Sequence, residues 1–114
     1  MEKTQEKNAI PIKARIDKLV NGDTATKAYA SVTIANAFAV HDIRITEKDD
    51  KVIVHMPFKA YKKDGETKYT DTFHAITAKA RTALVSAVTE AYEQALEQRM
   101  AELEREGAAM SQQM

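Results

Sequence analysis

From Ile10 onward, apolar and polar positions alternate with a period of two: Ile10, Ile12, Ala14 and Ile16 are interleaved with Lys13, Arg15 and Asp17. Successive side chains of a strand point to opposite faces, so this spacing predicts a strand with one buried face. Pro11 cannot donate to a ladder and marks a strand beginning or a sheet edge. Asn21-Gly22-Asp23 predicts a turn, because Asn and Gly adopt positive φ at little cost. Ala28, Ala30, Val32 and Ile34 then continue a buried face against Tyr29, Ser31 and Thr33, a second strand antiparallel to the first. A third strand spans about Phe38 to Thr46 and changes parity midway: Phe38 and Val40 share one face, Ile43 and Ile45 the other. Either both faces are covered at His41-Asp42, or a β-bulge flips the register there. Glu47 to Asp50 form a charged turn, and Lys51 to Met56 a fourth strand rich in β-branched residues, ended by Pro57.

Residues 58 to 68, FKAYKKDGETK, hold four lysines and an Asp64-Gly65 turn signal, which predicts a long exposed hairpin loop. Tyr69 to His74 follows as a short fifth strand. After Ile76 the period becomes helical: Leu84, Val88, Tyr92, Leu96, Met100 and Leu103 recur every three or four residues. Frequent alanine favours helix, Thr77 is the expected N-cap, and Gly107 is the expected stop. The pattern therefore predicts an α+β fold, a curved antiparallel β-sheet of four to five strands followed by one long C-terminal helix. Residues 10–106 make up the domain, between a disordered N-terminus (1–9) and a disordered C-terminal tail (107–114). One helix covers only part of such a sheet, so a strand-edge homodimer is expected.

Charge changes this picture more than composition does. The chain is formally neutral, yet residues 10 to 81 carry 13 Lys and Arg against 9 Asp and Glu, while residues 82 to 114 carry 2 against 6. A mildly basic body is followed by an acidic third, which raises the idea that the acidic end folds back on the lysine loop. The absence of cysteine removes disulfides and thiolate chemistry and suits a cytoplasmic setting. The N-terminal MEKTQEKNAI has no apolar stretch of a signal peptide, and no run approaches the roughly 20 apolar residues of a membrane span. No membrane partner is expected.

The candidate chemistry is sparse. His41, His55 and His74 fall on different predicted strands, in none of the spacings that bring ligands to one face, so no metal or other cofactor is expected. His41-Asp42 resembles two members of a hydrolase triad, but neighbours on a strand point apart, and the pair is better read as satisfying backbone groups at the bulge. No serine lies in a nucleophile elbow and three glycines are too few for a phosphate-cradling loop, so neither an enzyme nor a small-molecule substrate is expected. The lysine loop is the strongest signal. Lys59, Lys62, Lys63 and Lys68 are interleaved with Phe58, Tyr61 and Tyr69, and Lys79 and Arg81 follow at the helix start, where free N–H groups attract anions. Lysines can hold phosphates while aromatic rings stack on unpaired bases. A solvated hairpin whose lysines protect an exposed edge is the competing reading.

Two segments carry a resemblance: ASVTIANAFAVHDIRI (30–45) and VHMPFKAYKKDGETKYTDTFHAITAKAR (54–81). Val40 to Arg44, Met56-Pro57, the Asp64-Gly65 turn, Ile76 and Arg81 together resemble the SpoVG family of bacterial septation regulators. The resemblance implies a dimeric DNA- and RNA-binding regulator of sporulation, division or gene expression, whose contacts map onto Lys59, Lys62, Lys63, Lys79 and Arg81. Phe58 stands where a serine is usual, and lysines stand where arginines are typical; lysine lacks the bidentate fork that reads guanine. The alternative is a protein–protein interaction module that uses the long C-terminal helix and the sheet edge.

Overall fold

The computed structural model describes residues 10–113. Six strands precede one helix: β1 (Ile12–Leu19), β2 (Thr26–Ile34), β3 (Phe38–Lys48), β4 (Lys51–His55), β5 (Phe58–Lys63), β6 (Glu66–Asp71) and α1 (Ala78–Gln113). β1 to β4 form an antiparallel sheet in chain order, and β5 and β6 form a separate two-stranded ribbon. The α+β class and the order of sheet then helix are as the periodicity predicts; residues 1–9 lie outside the described residues.

The parity change in the third strand is resolved as a bulge. Ala30 pairs with Ile43 but Val32 pairs with Val40, so His41 and Asp42 together oppose Ser31, and Asp42 takes φ 66°. The extra residue returns Val40 and Ile43 to one face. A second bulge lies in β1, where Ile16 pairs with Ala30 and Lys18 with Tyr29, which brings Leu19 back to the same side as Ile16. The tight connections also follow local chemistry. Asp64-Gly65 and Asp49-Asp50 both have positive φ at their two central residues and each joins its strands by a two-residue loop.

One sheet face is built from Ala28, Ala30, Val32, Ile43 and Ile45, and Leu84, Val88 and Tyr92 of α1 bury against it. Leu84 and Val88 each contribute about 1.5–3 kcal/mol through that burial. Thr77 caps the helix as expected, its Oγ1 accepting the Ala80 amide at 3.1 Å. Leu96 is half-buried, whereas Met100 and Leu103 are 63% and 58% exposed, so the stripe outruns the sheet. The helix does not stop at Gly107 but continues to Gln113. A single glycine costs only about 1 kcal/mol in a helix, and Ala108 and Ala109 directly after it are strong helix formers.

The second departure is the lysine segment. Residues predicted as a loop are β5 and the first half of β6, and the strand expected at Tyr69 to His74 lies at Glu66–Asp71. Every residue of the ribbon is exposed. With both faces in water there is no burial-driven alternation to reveal strands. The ribbon and the helix end project from the core: the radius of gyration is 18.0 Å, against about 13 Å for a compact domain of this length.

Tyr92 links helix and sheet. Its ring is buried and its hydroxyl donates to Glu47 Oε2 at 2.7 Å. Burial, and then the Glu47 carboxylate, push the phenol from its usual 10 up to about 12. The folded state favours the protonated phenol, so this contribution is complete below about pH 10 and lost as pH rises toward 12. Urea denaturation from pH 8 to 11 is expected to show stability falling above pH 10 in the native chain. Tyr92→Phe is expected to lose about 1 kcal/mol at pH 7 and most of that alkaline decline.

Candidate nucleic-acid interface

The six predicted contact residues fall into three groups. In an antiparallel ribbon directly opposed residues share a face. The pairs Lys59↔Thr70, Tyr61↔Lys68 and Lys63↔Glu66 therefore form one face, and Phe58↔Asp71, Ala60↔Tyr69 and Lys62↔Thr67 the other. Lys59, Lys63 and Lys68 stand together around Tyr61, while Lys62 is on the aromatic face with Phe58 and Tyr69. The only described carboxylate within ion-pair distance of these lysines is Glu66, 4.0 Å from Lys68 Nζ. With side chains 47% and 76% exposed, that pair holds little charge out of play.

The third group is at the helix start. The ribbon root is closed by the Thr72 amide donating to Pro57 O at 2.8 Å, which sets the 72–77 segment beside β4. Arg81 thereby reaches the root and lines a cleft of about 320 Å³ with Val54, Met56, Asp71, His74 and Val85. Lys79 is exposed on the same turn but does not line that cleft.

Arg44 was not a sequence candidate. Its guanidinium carbon sits 4.9 Å from the centre of the Phe58 ring, and Phe58 meets Tyr69 edge-on at 5.6 Å and 77°. The Arg44 Nε–H is buried and has no acceptor among the described residues. Arg44, Phe58, Tyr69 and Asp71 line a second cleft, of about 470 Å³. Alternation in β3 places Arg44 opposite Ile43 and Ile45, but only the fold of the ribbon reveals its aromatic neighbours.

The three histidines do not meet in one place: His55 and His74 both line the inner cleft, whereas His41 does not. His55 Nε2 lies 2.9 Å from Thr46 Oγ1, and His74 Nδ1–H donates to Ala75 O at 3.3 Å. His41 is elsewhere, at the two bulges, and it does not satisfy backbone groups there as its position suggests. Its Nδ1 is 2.8 Å from Ser31 Oγ, and the Ser31 hydroxyl donates to Asp17 Oδ2. With the serine proton given to Asp17, His41 Nδ1–H is the donor. Serine, not histidine, is central, which is the wrong order for a nucleophile, base and orienter. Ser31 is also 3% exposed. Among the described residues no three His, Cys, Asp or Glu side chains gather as metal ligands.

These elements have known counterparts. The SpoVG family profile matches residues 11–94, most of the chain. The chain belongs to the SpoVG family. It is 42% identical over 77 residues to a SpoVG protein of Heliobacterium modesticaldum whose name attaches it to septation, covering 68% of this chain and 83% of that one. A similarly named protein of Desulforudis audaxviator is 43% identical over 79 residues, covering 69% and 85%. One from a Thermoanaerobacter species is 38% identical over 90 residues, covering 79% and 94%. In this SpoVG-family chain the ribbon and helix start lie within the matched region, and α1 beyond residue 94 lies outside it.

The Ser31 hydrogen bond, partly opposed by burial and assisted by Arg15, holds the Asp17 carboxyl below its usual 3.8. A depressed acid stabilises the fold above its unfolded pKa, and that contribution fades as pH falls below about 4. Ser31→Ala is expected to cost about 1–2 kcal/mol at pH 7 in urea denaturation. The same change should return Asp17 toward its ordinary titration, read by carboxyl carbon NMR.

Proposed function

We propose that this SpoVG-family chain is a cytoplasmic, non-enzymatic regulator that binds DNA or RNA as a homodimer, through its lysine ribbon and helix start. The observation that carries this reading is the ribbon itself: a fully exposed arm with Lys59, Lys63 and Lys68 grouped around Tyr61, and Arg81 at its root. Exposed ammonium groups neutralise phosphates and release condensed counterions, a gain that does not require base contacts. The septation names of the relatives agree with a regulatory role in division. Dimerisation is open to two strands, β1 and β4, each with one unpaired side in the four-stranded sheet. No described helix is long and apolar enough to cross a membrane.

The acidic end of α1 is not placed to mask the ribbon in the same chain. Glu102 lines a groove with Leu19 and Asn21, and at 1.5 Å per residue it stands about 30 Å along the helix from Arg81. The same end supports a second reading, a module that captures a protein partner, because Met100 and Leu103 are exposed beyond the sheet.

Fluorescence anisotropy with short labelled DNA and RNA separates the two. If a dimer uses about six cations on phosphates, affinity should fall more than a thousandfold between 50 and 200 mM salt. Lys59→Glu/Lys62→Glu/Lys63→Glu, with native circular dichroism, should abolish binding, while Met100→Ser/Leu103→Ser should leave it unchanged. A flat salt response, or no binding at low salt, defeats the nucleic-acid reading.

A further inference from the structure

The two clefts share a wall, and their chemistry differs from that of the lysine face. Asp71 lines both, so the clefts meet at the ribbon root. The outer cleft has Tyr69, 65% exposed, and Phe58 with Arg44 against its ring. The inner cleft has a floor of Val54, Met56, Leu84 and Val85 under a rim that includes His74 and Arg81. No described carboxylate pairs with either guanidinium. The inner cleft, about 320 Å³, falls in the roughly 300–1,000 Å³ range of small-ligand pockets, and the outer one is a shallow, open groove beside it.

A phosphate backbone alone does not account for this lining. An apolar floor gives an anion nothing, and Asp71 at the junction repels it. Flat heteroaromatic rings with amino or ring N–H donors suit the lining: one lies on the apolar floor of the inner cleft, another stacks on Tyr69 in the outer cleft, Asp71 between them accepts from a ring edge, and Arg44 and Arg81 hold the flanking phosphates. The Arg44 guanidinium has no carboxylate partner among the described residues, which leaves its terminal N–H groups for such a phosphate. Bases inside a duplex keep both faces stacked and cannot enter.

We infer that the joined clefts at the ribbon root take unpaired bases of a single-stranded nucleic acid, with the lysine ribbon following its backbone. This rests on the nucleic-acid reading above and adds to it a preference for single strands and a base-dependent part of the affinity.

The test is anisotropy of the full chain with labelled 12-mers at one salt concentration: a mixed-sequence single strand as DNA and as RNA, its duplex, and an abasic strand with the same phosphates. The base-bearing single strand should bind about tenfold tighter than the duplex and the abasic strand. Tyr69→Thr, which keeps a strand former at an exposed site, and Ala75→Phe, which fills the inner cleft, should each reduce single-strand affinity toward the abasic level. Neither should change binding of the abasic strand. The Lys59→Glu/Lys62→Glu/Lys63→Glu variant should lose binding to all four. Equal affinity for base-bearing and abasic strands overturns the inference and leaves the lysine ribbon as a nonspecific phosphate site. So does a Tyr69→Thr variant that binds like the native chain. A Tyr69→Thr protein that becomes monomeric in light scattering while the native chain is dimeric assigns the face to a second copy and also overturns it. Absence of binding to any oligomer defeats the inference together with the reading beneath it.

Discussion

The seating of α1 across the sheet, closest to β1 and over the buried alanines of β2, is the contact on which the remaining geometry depends. Ala28 and Ala30 are fully buried, and their small side chains leave room for Leu84, Val88 and Tyr92 to reach the sheet. Larger residues there would hold the helix off and open the core, since interiors tolerate few voids or overlaps. Because α1 is one continuous helix capped at Thr77, fixing its middle also fixes its beginning. That beginning brings Arg81 to the root of the ribbon, although 25 residues separate it from Met56 in the chain.

Covering one face with a single helix leaves the other open. On that open face the two bulges hold Asp17, Ser31 and His41 in one hydrogen-bonded chain across three strands. The network stitches together two of the places where the ladder is interrupted, which explains a buried serine on a face that is otherwise polar and wet. Arg44, two residues beyond the β3 bulge, depends on the same register: with the bulge removed, its side chain would change faces and lose Phe58.

A two-stranded ribbon is marginal alone in water. Here it is tethered at its root by the Thr72–Pro57 hydrogen bond and by the contact of Arg44 with Phe58, and closed at its tip by an Asp-Gly turn. An arm held at both ends can remain extended while its lysines stay solvated, the state in which exposed cations meet a polyanion at low desolvation cost. The acidic, overhanging end of α1 is at the opposite side of the molecule and outside the family match, so it adds to the SpoVG core without covering its basic arm.

Much of this was legible in the sequence because burial writes itself as periodicity. The two-residue alternation of Ile12 to Ile16 and Ala28 to Ile34, the parity break at His41-Asp42 and the helical stripe from Leu84 all reflect one face turned to a core. The order of the V-H-D-I-R, M-P and D-G segments pointed to the SpoVG family for the same reason: each sits where the fold needs a bulge, a strand end or a tight turn. Where burial did not act, the pattern was silent. Phe58 to Asp71 has water on both faces, so its strands read as a loop, and nothing in the local chemistry of Gly107 was strong enough to end a helix already propagating through alanines. The joining of Arg44 to Phe58 and of Ser31 to Asp17 and His41, and the placing of Arg81 and Asp71 around one cleft, were decided by tertiary structure alone. These pairs meet through register, bulge position and the angle of the helix on the sheet, quantities that depend on contacts between distant segments and leave no spacing in the chain to read.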